Sequence, residues 1–184
     1  GDRVEACIGA VWAELGIEAA QDVADRLVVR PGLHGRLITA TVPDAGGDDR
    51  YEAAARVCGH DPREPAWYGA AAGGGPPRRR LAAVGDAVLE AAYSTSQYVD
   101  DPMATEALMS EERRAGTSNA VLARRAHELG LVRDDDAPDR RSQADEAQAL
   151  VGAVTLDGGT RSGLDVAAAV LGRRFAPGPV DCAS

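Results

Sequence analysis

Lysine is absent from this 184-residue chain: all 20 basic residues are arginine, set against 29 Asp and Glu, for a net charge of −9. An acidic balance of that size excludes a protein that coats nucleic acid by bulk positive charge. Aromatic residues make up only 4%, and β-branched runs are scarce. That leaves little from which to build a sheet and puts the core on Ala, Val and Leu. About a fifth of the chain is Ala. Ala, Leu and Arg are strong helix formers, so the composition favours an all-α fold of closely packed helices. Long hydrophobic runs are missing as well. The most apolar stretch, Ala66 to Gly75, is Gly-rich and ends at Pro76-Pro77, well short of the ~20 residues that cross a membrane. Cysteine is sparse: Cys7, Cys58 and Cys182 are odd in number and show no Cys-x-x-Cys spacing, so neither a disulfide framework nor a zinc site follows. No basic region followed by an apolar run comes after Gly1-Asp2, so no signal peptide is expected and the expected location is cytoplasmic. Apolar residues nevertheless reach 45%, enough to bury a core and exclude disorder throughout. The length suits one ordinary domain with something left over.

Periodicity divides the chain. Val4, Ile8, Val11 and Leu15 recur at helical spacing until Gly16, and Ala19, Ala20, Val23, Ala24 and Leu27 form a second stripe that Arg30-Pro31-Gly32 stops. Between His34 and Arg50 the pattern is extended at best: residues 36–42 suit a short strand or an ordered linker, and 43–49 a hinge. A short helix is expected over 51–58, then a short helix plus loop to Pro77. Further helices are expected over about 79–97, 104–114, 120–129, 143–156 and 163–175, with a loose Pro/Gly-rich tail over 176–184. Thr117-Ser118-Asn119 reads as a cap for the helix that follows it.

An internal repeat is the most informative pattern. At a constant offset of 143 residues, Asp2 meets Asp145, Ala6 meets Ala149, Gly9-Ala10-Val11 meets Gly152-Ala153-Val154, Gly16 meets Gly159, and Asp22-Val23-Ala24 meets Asp165-Val166-Ala167. Residues 1–30 therefore read as the closing helices of a first copy, 31–50 as a linker and 51–175 as a second copy.

Positions 79, 82 and 86 are spaced to share one helical face, and positions 145 and 148 share a face of another helix. Five acids there would form a carboxylate cluster for divalent ions able to activate water and stabilise the leaving oxygen of a phosphodiester. Arg79 to Leu89 (RRLAAVGDAVL) resembles the signature helix of the ribonuclease III family, commonly Glu-Arg-Leu-Glu-x-Leu-Gly-Asp-x-Val-Leu. Leu108 to Leu131, with Ser118-Asn119 opening a helix that ends Glu-Leu-Gly-Leu, resembles the stretch that follows it. Ala144 to Gly159 resembles the family's Ala-Asp-x-x-Glu-Ala-Leu-Ile-Gly-Ala-x-x-Leu-Asp-Gly-Gly, and Gly59 to Ala71 more weakly its opening. The resemblance covers about residues 51–175, and the tandem arrangement is similar to that of Dicer-like chains.

The resemblance implies an all-α ribonuclease III-type helical domain, Mg²⁺ as cofactor with Mn²⁺ as a substitute, and endonucleolytic cleavage of double-stranded RNA. It also implies pairing, intramolecular or as a homodimer, through the helix Leu81 to Tyr93. The family's metal-binding acids would fall on Arg79, Ala82, Asp86, Asp145 and Gln148, so only Asp86 and Asp145 remain as catalytic and metal-binding acids, with Gln148 a weak ligand through its carbonyl. The first copy keeps Asp2 and Glu5, an acid pair at the same spacing. Three readings of Asp86 and Asp145 stay open: a competent nuclease site, hydrogen-bonded remnants of a lost one, or a site that binds RNA or metal without cleavage. Arginines come in pairs. Arg113 and Arg114 are the expected RNA contacts, because duplex RNA is recognised largely through its shape and backbone; the other pairs read as solvated helix faces. His34, His60 and His127 form no ligand cluster, and Trp12 and Trp67 read as packing residues. The expected function is that of a part of a Mg²⁺-dependent double-stranded-RNA endoribonuclease in which this second domain is an impaired dimerisation partner. The alternative is a non-catalytic helical module that dimerises or scaffolds RNA.

Overall fold

Asp48, Glu64, Thr105 and Asp139 each stand just before a helix and accept a hydrogen bond from its first-turn backbone N–H groups, which satisfies donors that would otherwise be orphaned. In the computed structural model the described residues are 8–12, 15–16, 19–20, 22–23, 44–132 and 139–173. The chain divides into two compact units, Gly1–Thr41 with Ala176–Ser184, and Val42–Phe175. In the first unit the described residues are helical apart from Gly16, whose φ is 87°. Asp2, Glu5, and the strand or linker expected over 36–42 lie outside the described residues.

The second unit contains six helices among its described residues: α1 (Asp49–Val57), α2 (Pro65–Ala72), α3 (Gly75–Asp100), α4 (Glu106–Gly116), α5 (Asn119–Glu128) and α6 (Arg140–Val170). No described residue is in a strand, and no helix among the described residues is long and apolar enough to cross a membrane. The all-α expectation holds. Two boundaries differ from the pattern-based reading. Helix α3 starts at Gly75 rather than near 79, because Pro76 and Pro77 occupy its first turn, where a missing N–H costs nothing. The expected helices 143–156 and 163–175 are two arms of α6, separated at Gly159, where φ is 85°. Only glycine adopts that value without strain. Gly16, its counterpart in the repeat, has nearly the same φ.

The first arm of α6 is the centre of the unit. Ala144, Ala147, Ala149, Leu150, Val151, Ala153 and Val154 are all fully buried there, and α1, α2, α3 and α5 pack against α6. Side chains this small bury little area each, about 0.8 kcal/mol per methylene, so the core depends on close helix approach. The crossing of α3 and α6 supplies it. A Cβ on Gly85 would stand 1.8 Å from the Gln148 carbonyl oxygen, and one on Gly152 2.0 Å from that of Leu81. The two backbones touch where Cβ spacers would ordinarily hold helix axes about 8–10 Å apart. Leu81, Ala82, Leu89, Ala92 and Tyr93 are buried within the chain. The face of α3 that looks outward carries Ala83, Ala87 and Glu90.

Candidate functional site

The glycine crossing sets what lies beside it. Asp86 follows Gly85 directly, and Gln148 stands one turn before Gly152. Their side chains meet across the contact, with the Gln148 Nε2 donating to Asp86 Oδ1 at 2.7 Å. Around this bond is an open cavity of about 430 Å³ lined by Arg79, Ala82, Ala83, Asp86, Asn119, Arg141, Asp145 and Gln148. All five positions singled out in the sequence, 79, 82, 86, 145 and 148, line this one cavity. Two further lining residues, Asn119 and Arg141, were not singled out as site residues. Asn119 is the first residue of α5, behind an N-cap Ser118 whose side chain makes no capping bond. Arg141 shares a face with Asp145 and Gln148 at i, i+4, i+7 spacing, the signal by which it could have been found.

The charges in the cavity are two guanidinium groups and two carboxylates. Among the described residues no hydrogen bond or salt bridge engages the Arg79 and Arg141 guanidinium groups or the Asp145 carboxylate. The exposed Asp139 carboxyl, just before α6, is held below its ordinary value by the Ser142 N–H and, less strongly, by the nearby Arg141 charge. The Asp86 carboxylate already has a donor, the Gln148 amide N–H. Among the described residues no group of three or more His, Cys, Asp or Glu could hold a metal ion. With two carboxylates, one of them receiving an amide N–H, and two cations at the rim, the donor set does not fit the hard oxygen shell that Mg²⁺ needs. Arg113 and Arg114 lie in the last turn of α4, outside the cavity lining. Arg113 donates to Ser94 Oγ at 3.4 Å, and Arg114 is exposed.

No protein family, curated protein or solved structure matches this chain.

Two other polar clusters hold the helices that build the cavity. Asp157, at the end of the first arm of α6, is fully buried at its side chain. Its Oδ2 lies 2.8 Å from His60 Nε2 and accepts from the Arg63 N–H and the Tyr68 hydroxyl, while Oδ1 accepts from the Glu64 N–H. Burial pushes the Asp157 carboxyl up, but these bonds outweigh it and leave it below the ordinary carboxylate value. His60, which showed no partner in sequence, is thus the partner of an acid far along the chain. About three turns earlier on the same helix, Glu146 receives the Tyr51 hydroxyl and the Arg78 guanidinium. Arg78 also donates to the Ala71 and Ala72 carbonyls at 2.8 Å, closing the end of α2. Burial raises the Glu146 carboxyl against the opposing pull of Tyr51, Arg78 and Arg50. Burial also pushes the Cys58 thiol up to about 11, so it is protonated at neutral pH and is no nucleophile.

Proposed function

We propose that Val42–Phe175 is a catalytically silent ribonuclease III-type domain, the structural partner of an active copy in a Mg²⁺-dependent double-stranded-RNA endoribonuclease. The supporting observation is the cavity between α3 and α6. It gathers the five positions where that family's metal-binding acids would stand, yet Arg79, Ala82 and Gln148 occupy three of them. Convergence on one cavity supports the kinship. The missing acids speak against metal-assisted hydrolysis there. On this reading Asp2 and Glu5 belong to the copy that cuts, and the second domain supplies packing surface. A non-catalytic module that dimerises or scaffolds RNA is the second reading. It is favoured by α4, which buries none of its side chains and carries Arg113 and Arg114 in its last turn.

Incubation of the folded chain with a long RNA duplex in Mg²⁺, with Asp145→Asn alongside, tests the proposal. No cleavage by either form is expected. Cutting that disappears in Asp145→Asn would show that Asp86 and Asp145 suffice for catalysis, and the silent-domain reading would fall.

A further inference from the structure

We infer that the cavity between α3 and α6 is a metal-free binding site for a phosphate group, held by the guanidinium groups of Arg79 and Arg141. The inference rests on the silent-domain reading, since it assigns to arginine the place that divalent ions would take in an active copy.

The observations are the state of the donors and acceptors around the cavity. Arg79 and Arg141 are both exposed at its edge, and among the described residues neither guanidinium makes a hydrogen bond or salt bridge; Arg141 has only the Coulombic attraction of the fully exposed Asp139. Guanidinium groups that no hydrogen bond engages keep their N–H donors available beside a cavity, and the planar fork matches two oxygens of a tetrahedral oxyanion. The Asn119 amide lines the same cavity and adds a neutral donor. On the acid side, Asp86 is engaged by the Gln148 amide at 2.7 Å, which leaves Asp145 as the one lining carboxylate without a hydrogen bond. Free donors thus exceed free acceptors, and a volume of about 430 Å³ has room for a phosphate carrying an organic group. A polynucleotide backbone and a small phosphorylated metabolite share this chemistry.

The test titrates the full chain in EDTA with inorganic phosphate and, separately, with a short RNA duplex, followed by calorimetry. Saturable binding of at least one probe is expected. Arg79→Ala combined with Arg141→Ala should weaken it by about tenfold or more, the worth of one charge-assisted hydrogen bond. Both side chains are exposed, so the core is untouched, and a thermal melt by circular dichroism verifies the fold. Asp145→Asn should tighten binding by removing a like charge, the opposite of its effect on a metal-dependent site. Binding of the duplex points to a nucleic-acid backbone as the source, and binding of phosphate alone to a small metabolite. No binding of either probe, binding that the double variant leaves within about twofold, or weaker binding in Asp145→Asn would overturn the inference. Cleavage in Mg²⁺ would remove the silent-domain reading, whereas failure to bind in EDTA would remove only the phosphate site.

Discussion

Asp157 shows how much can hang on one side chain. It joins the end of the first α6 arm to the loop before α2, through His60 and two backbone N–H groups, and to α2 itself through Tyr68. Replacing it with Ala would leave the His60 and Tyr68 donors inside the unit, and the exposed Arg63 and Glu64 N–H groups, without their acceptor, at a cost of about 3–5 kcal/mol. Asn keeps one acceptor oxygen but turns an amide N–H toward donors, so a smaller loss of about 1–3 kcal/mol is expected. Urea unfolding at neutral pH measures both. The acid side of the stability profile gives a second readout. Because the carboxyl is held below its ordinary value in the folded state, its stabilisation is present above the unfolded value and is lost as pH falls through the lower folded one. Wild type should lose stability below about pH 4, where unfolded aspartate begins to take up protons, more steeply than Asp157→Asn. Parallel profiles would show that the carboxylate charge contributes nothing. The sequence shows Leu156-Asp157-Gly158-Gly159 as a motif but not this network. Its partners lie 89 to 97 residues away, and no local spacing carries such a contact.

Helical elements were legible because an apolar period, a capping residue or a proline marks most of them, and those signals are local. The break at Gly159 was legible as two separate helices, though not as a single kinked one, since one glycine in the left-handed region bends the path without freeing the chain. The crossing of α3 and α6 was only half legible. Gly85 and Gly152 stand in the motifs, but that they face each other is a tertiary fact. At this scale Gly152→Ala is expected to destabilise the unit by more than about 3 kcal/mol, because the obstructing atoms belong to the Leu81 backbone and cannot rotate away. Gly85→Ala should do the same and also spread Asp86 from Gln148. Ala87→Ser, on the exposed face of α3, should stay within about 0.5 kcal/mol. Thermal or urea unfolding separates these outcomes. A mild effect at both glycines would mean that the helices do not cross in contact.

For the molecule as a whole, the positions of the candidate site were readable from helical spacing, whereas its charge balance was not. Asn119 enters from a segment that no helical spacing links to the other positions, and Arg141, one turn before Asp145, adds a cation that a pattern of acids does not reveal. Together with Arg79 they turn a place suited to cations in an all-acid version into one bordered by guanidinium groups. The charges can be reversed without disturbing the core. Arg79 is exposed and Gln148 only half-buried, while Ala82 is packed inside and is best left alone. Arg79→Glu combined with Gln148→Glu would place four carboxylates around the cavity. In EDTA that double variant should melt below wild type, since crowded carboxylates repel and no guanidinium at position 79 offsets them. Mn²⁺ or Mg²⁺ should reverse the loss, because an ion that binds only the folded state stabilises it, by about 2.7 kcal/mol at a hundred times its Kd. Wild type should show no such metal-dependent shift. A comparable shift in wild type would mean that Asp86 and Asp145 hold a divalent ion as they stand, and that the arginines at the rim border a working metal site.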